Sequence, residues 1–293
     1  MKKIIISLFI ILVLAGTGYY FSNDILGIYQ KFTKDIQDFE KTDVGNIIKE
    51  VSKDFFNPPP LKIKGKPSTT VLSKAGIISE TNLQRQKNGL GFLIEDALLD
   101  SAAAAKANDM FKNQYFEHIS PTGVDPGQLV LNYGYKYIVA GENLILGNFD
   151  SEKELVQAWM DSPGHRANIL NNRYSEIGVA IIKGNYKGEQ VWMGVQEFGL
   201  PLSACIEPSI TLKNKIGEKK TLLDQMSEQL DLEKIRIENA NPRSQQYNDL
   251  VDNYNLLVSQ YQLLADEIKN LISQYNDQVN VFNQCVKGTN SPI

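Results

Sequence analysis

The chain begins with Lys2 and Lys3, followed by a run from Ile4 to Phe21, IIISLFIILVLAGTGYYF, that is apolar almost throughout. A charge-free stretch of about 18 residues reaches the short end of the ~17–25 that span a bilayer, and the lysines ahead of it predict a cytoplasmic N-terminus with the remainder exported. No small-x-small cleavage pattern follows, and no cysteine lies near to take a lipid, so a retained anchor is favoured over a cleaved signal segment. Residues 1–22 are read as a transmembrane anchor or signal segment. Beyond them Ile25, Tyr29, Phe32, Ile36 and Phe39 step by three and four, the pattern of an amphipathic helix, and Ile47, Val51 and Phe55 continue it after Gly45. Pro58, Pro59 and Pro60 stop the pattern, and the LKIKGKPSTT that follows has the composition of an extended linker. Residues 23–74 are therefore assigned to a helix and a Pro-rich linker.

Residues 75–202 alternate between the two periodicities. TNLQRQKNG reads as a helix closed by Gly89, and IEDALLDSAAAAKANDMFKNQ as a longer helix with an alanine face suited to close packing on a layer. SEKELVQAWM opens with Ser151 and Glu154 at capping-box spacing. YIVAGENLIL, EIGVAIIK and QVWMGVQEF carry strand signals, the last two separated by the turn-rich GNYKGE. Helices on a small, largely antiparallel sheet predict an α+β layered domain.

After Pro208 a heptad pattern takes over. Ile216, Leu223, Leu230 and Ile237 recur every seven residues; beyond ENANPRS, Tyr247, Tyr254, Tyr261, Ile268, Tyr275 and Phe282 do the same, interleaved with Leu250, Leu257, Leu264 and Leu271. The pattern predicts an antiparallel helical hairpin, a coiled coil, over residues 203–293. The tyrosine ladder reads as a wide seam, or, if exposed, as a surface for a protein partner. Continuing each register outward brings Cys205 and Cys285 to one level of that seam, where a disulfide would staple the base of the hairpin; the alternative is two unpaired buried thiols.

Composition narrows the classes. Hydrophobic residues make up 42% and charged residues 22%, ordinary globular values that support a packed core. The net charge of −4 comes from both signs with no basic run, which argues against nucleic acid as a partner. Two cysteines are too few for a disulfide-dense scaffold. The chain has only two histidines, His118 and His165, and both sit in the motif-rich block.

That block carries NLQRQKNG, DMFKNQYFEHISPTG, GENLILG, AWMDSPGHRANIL, EIGVA and VQEFG in order. The series resembles the bacterial branch of the CAP superfamily (cysteine-rich secretory, antigen 5 and pathogenesis-related proteins, SCP-like). The resemblance implies a three-layer α-β-α sandwich with a cleft of two histidines and two acidic residues. By motif, His118, Glu142 and His165 take three of those positions. At the fourth, Trp159-Met160-Asp161-Ser162 places Ser162 where relatives carry a glutamate, with Asp161 one residue off. Glu142 and Ser162 are thus the candidates for catalysis, and His118, Glu142, Ser162 and His165 for ligand binding. His118 and His165 could hold a divalent metal such as zinc, completed by Glu142, Ser162 or water, or they could simply hold loops through backbone carbonyls. Glu197 is assigned to solvent, Trp159 and Trp192 to the core, and Gly141 and Gly164 to tight backbone turns.

Two functions stay open at this level. The leading one is a membrane-anchored, single-pass extracytoplasmic module, tethered through residues 4–21, that binds a lipid or cell-envelope ligand, with the hairpin as a docking arm. The other is a metal-dependent hydrolase of peptide or cell-envelope material, with the two histidines as ligands and Glu142 as general base.

Overall fold

The computed structural model describes residues 54–65 and 69–288. These residues fall into two compact units, one within Ile47–Ile206 together with Cys285–Ile293, the other Glu207–Gln284.

The first unit is an α+β sandwich around a mixed sheet of six strands: β1 (Phe55–Phe56), β2 (Leu61–Lys62), β3 (Ile94–Glu95), β4 (Tyr137–Gly147), β5 (Glu176–Tyr186) and β6 (Glu189–Pro201). The order is β1-β4-β6-β5-β3, with β2 also paired to β4. The long strands are antiparallel, as the hairpin signal over β5 and β6 predicts, whereas the short edge pieces β1, β2 and β3 run parallel to their neighbours. The Pro-rich stretch is therefore not a free linker. It supplies β1 and β2, and Phe55 belongs to the first of them rather than to a helix.

Five helices cover the sheet: α1 (Lys74–Lys87), α2 (Ala97–Asn113), α3 (Pro126–Asn132), α4 (Glu152–Asp161) and α5 (Pro163–Ile169). Each begins at a residue suited to that position. Ser73, Asp96, Asp125 and Ser151 accept backbone N–H groups at the first four helix starts, and Pro163 stands at the first turn of the last. Ser151 caps Glu154 N as the sequence suggests, but the Glu154 carboxylate returns to Asp150 N.

Alternation along the strands sorts the core into two faces. Val139 and Ile145 of β4 and Phe198 of β6 pack with Ile77 of α1 and Leu155 and Trp159 of α4. Leu144, Met193 and Val195 face the other way, onto Ala103, Ala107 and Met110 of α2. Small alanines let α2 lie close to the sheet, as its alanine-rich face implies.

The second unit contains α6 (Ile210–Asn239), and α7 (Gln245–Val286) continues from it after a turn. Lys219 of α6 and Glu267 of α7 form an ion pair at 2.7 Å. The coiled-coil expectation needs correction. A two-stranded coiled coil buries matching a and d rows on both helices. Here α6 buries one heptad row, Ile216, Leu223 and Leu230, while α7 buries three, led by Tyr261, Ile268, Tyr275 and Phe282 beside Leu264, Leu271, Ala265, Ile272 and Val279. Along the tyrosine ladder, Tyr261 and Tyr275 are core residues, whereas Tyr247 and Tyr254 are half-buried.

The membrane expectation is corrected too. Among the described residues no helix is long and apolar enough to cross a membrane. Residues 4–21, on which the anchor, the membrane partner and the extracytoplasmic single-pass location rested, lie outside the described residues.

Candidate functional site

Glu142 lies in the middle of β4 and Glu197 directly opposite it on β6. Both side chains point to the face covered by α2, since position 142 shares the parity of Leu144, and position 197 that of Met193 and Val195. Both are completely buried. Burial raises the Glu197 carboxyl well above the usual carboxylate range, and the nearby Glu142 charge and a hydrogen bond to Glu142 add to the rise. Burial and the facing Glu142 charge thus favour the protonated form of Glu197. Lys106, on the otherwise apolar face of α2, is also buried and donates to the His118 carbonyl. Desolvation lowers its ammonium, while Glu142 and Glu197 act in the opposite sense.

His118 closes the cluster. Its Nδ1 lies 2.6 Å from Glu142 Oε1 and its Nε2 2.5 Å from the carbonyl oxygen of Pro58. A carbonyl only accepts, so Nε2 must carry hydrogen. His165 has its Nδ1 2.8 Å from Ser162 Oγ. Its imidazole is driven down to about 4, first by burial and then by the positive charge of His118, against a backbone hydrogen bond that favours the charged form. His165 is thus neutral at physiological pH.

The opposite face of β4 holds a neutral amide network. Asn168 Nδ2 donates to Phe56 O, Glu142 O and Asn143 Oδ1, and Asn143 Nδ2 donates to His165 O and Gln196 Oε1. Gln196 Nε2 donates to Thr81 Oγ1, which ties α1 to the sheet. A cavity of about 300 Å³, lined by Lys106, Asp109, Tyr115, His118, Asp125 and Tyr133 among others, opens beside the histidine.

Residues 78–198 match the family model described as CAP, the cysteine-rich secretory protein family. The motif-bearing block is a CAP domain. It is 39% identical over 128 residues to the uncharacterized protein YkwD of Bacillus subtilis, covering 44% of this chain and 49% of that one. It is 31% identical over 114 residues to the uncharacterized membrane protein YlbC of the same organism, covering 39% and 33%. The chain thus spans half or less of the length of these relatives. Among solved structures, an outer surface protein of Borrelia burgdorferi matches at 26% identity over 43% of this chain and 90% of that one, with a TM-score of 0.39. An extracellular SCP-domain protein of Bacillus anthracis matches at 29% identity over 43% and 39%, with a TM-score of 0.37.

The CAP cleft departs from expectation in its donor set. Among the described residues no group of three or more His, Cys, Asp or Glu side chains could hold a metal ion. On His118 both ring nitrogens are already committed, Nε2–H to Pro58 O and Nδ1 to Glu142, which leaves that imidazole no lone pair for a metal. The zinc expectation is set aside, and with it the metal-dependent hydrolase. Asp161 is exposed and accepts from Gln157, away from the cluster.

Three members of the site escape a reading of the sequence. Glu197 is buried rather than solvated, and its strand parity with Val191, Met193 and Val195 is the signal that points inward. Lys106 lies one turn from Ala103 and Met110, a lysine on an apolar helix face. Pro58 carries no signal, because its role depends on where the chain crosses β4. Gly141 and Gly164 have no positive φ, so turn geometry is not their role. They give room: a Cβ on Gly164 would lie 2.7 Å from Pro58 Cβ, and one on Gly141 2.9 Å from Phe56 O.

Proposed function

We propose that this CAP domain is a binding module whose histidine cleft grips extended polypeptide backbone. The observation that carries the reading is the hydrogen bond from His118 Nε2 to Pro58 O, backed by Glu142, which aligns the ring through Nδ1. Asn168 supports it by donating to Phe56 O two residues earlier. Two side chains of the cleft motifs thus recognise main-chain carbonyls, groups that every peptide presents. The buried Lys106 holds the His118 loop in place by donating to the His118 carbonyl. Replacing His118 with alanine should speed amide hydrogen exchange across residues 54–63 at least tenfold while β4, β5 and β6 stay protected. Unchanged exchange in that segment would remove the reading.

A further inference from the structure

We propose that the groove along the outer edge of β4, past His118 and Gly164, is a binding site for an extended, proline-containing peptide from a partner protein, with Asp54–Ile63 as its replaceable resident occupant. The proposal rests on the backbone-gripping reading above and adds the class of ligand.

The resident segment docks as an added edge. Phe55 and Phe56 pair with Ala140 and Gly141, and Leu61 and Lys62 with Ile145 and Leu146. Ala140 N donates to Asp54 O at 3.1 Å and Ile63 N to Leu146 O at 2.8 Å. Between the two short ladders, Asn57 to Pro60 leave the sheet, because proline has no N–H to give a ladder. The departing stretch is where His118 takes the Pro58 carbonyl.

The receiving side is shaped for a main chain. A Cβ on Gly147 would lie 2.5 Å from Ile63 O, as one on Gly164 would meet Pro58. Recognition beyond the backbone comes from a few contacts: Asp54 to Arg173 at 3.1 Å, Phe55 edge-on to Tyr137 with centroids 6.2 Å apart, and Pro58 seated on Gly164. This is strand addition with sparse side-chain reading, which selects an acidic residue, an aromatic residue and then a proline at the observed spacing.

The occupant is held lightly. None of its residues is buried; Phe55, Pro58, Pro60, Leu61 and Ile63 are half-buried and Phe56 is 45% exposed. An edge resting on main-chain hydrogen bonds and half-buried side chains belongs to the low-stability end of a fold, able to open without unfolding the sheet. Its covalent link holds it at an effective concentration of order mM, so an incoming peptide competes only when the resident is weakened or the partner binds elsewhere as well.

The test uses the full chain and a fluorescent peptide of residues 54–64. A chain carrying Phe55→Ala and Leu61→Ala should bind the peptide at least tenfold more tightly than the unmodified chain does. Adding Gly164→Val should abolish that binding, and a peptide of scrambled sequence should not bind. Absence of binding to the loosened chain, while its cooperative unfolding persists, overturns the proposal. If the loosened chain fails to fold, hydrogen exchange on the unmodified protein decides. Exchange of the Ile63 amide ahead of the β4–β6 amides, slowed by excess peptide, supports the site; exchange only with global unfolding overturns it. Binding that survives His118→Ala would overturn the backbone-gripping reading and leave the groove standing. A segment loosened by His118→Ala with no binding of free peptide would do the reverse.

Discussion

Glu142 and Glu197 stand opposite each other on adjacent antiparallel strands, both without solvent exposure, and His118 reaches the first of them at 2.6 Å. Two carboxyls so placed cannot both ionise at low cost, and burial together with the Glu142 charge raises the Glu197 carboxyl well above the usual range.

A stability signature follows from that rise. A carboxyl whose folded-state pKa is raised contributes stability below its unfolded value, near 4.3, and the contribution is lost as pH rises toward the folded value. Glu197→Gln stays neutral throughout and fills the same space. Denaturant titrations of the two proteins should agree near pH 4 and diverge in favour of the variant by about 1.4 kcal/mol per pH unit above that, until the folded pKa is reached. A pH-independent difference would mean that Glu197 ionises in the fold.

His165 acts in the opposite sense. Its folded-state pKa is depressed to about 4, so the stability it contributes is present above the ordinary value near 6.5 and is lost as pH falls from there to 4. The shift corresponds to ~3 kcal/mol. His165→Asn should flatten the acid limb of the stability profile by that order, and the His165 imidazole resonance followed by NMR should titrate near pH 4. A midpoint near 6.5 would place the ring in solvent.

Arg85 is only part of a helix in the motif NLQRQKNG, yet it is nearly fully buried and donates to four carbonyls, those of Gly91, Ile169, Asn171 and Tyr174. A planar fork serves several acceptors at fixed angles, which an ammonium cannot reproduce. Arg85→Lys should cost about 2–4 kcal/mol, since charge-assisted bonds are worth ~1.5–3 kcal/mol each and carbonyls are left unpaired. Chemical denaturation measures it; a loss under ~1 kcal/mol would show that the loop carbonyls find other donors.

Cys205 and Cys285 are joined, 80 residues apart in sequence. Cys205 precedes α6 and Cys285 lies in the last turn of α7, so the bond closes a loop that contains both helices. Its removal by a Cys205→Ser and Cys285→Ser pair should lower stability by ~2–4 kcal/mol through the freed unfolded chain. Thermal unfolding with and without reductant gives the value for the unmodified protein, and equal midpoints would contradict it.

Much of this was legible in the sequence, because local rules were enough. The caps at Ser151 and Asp96, the alanine face of α2, the hairpin of β5 and β6 and the heptad positions of α6 and α7 follow from periodicity and side-chain chemistry within a few residues. The motif order identified the CAP block, and the register of the cysteines anticipated their bond. Tertiary structure decided whatever depended on distant chain segments meeting. Pro58 comes within reach of His118 only because β1 and β2 add to β4, 60 residues away in sequence. The same encounter turns a histidine that could have held a metal into a donor to a carbonyl. The parity of Glu197 with Met193 and Val195 points it inward, but that Glu142 faces it and raises its pKa further depends on the strand opposite, which no local pattern encodes. The width of the α7 seam belongs to the same class: heptads specify which positions turn inward, and packing against neighbours decides how many rows they bury.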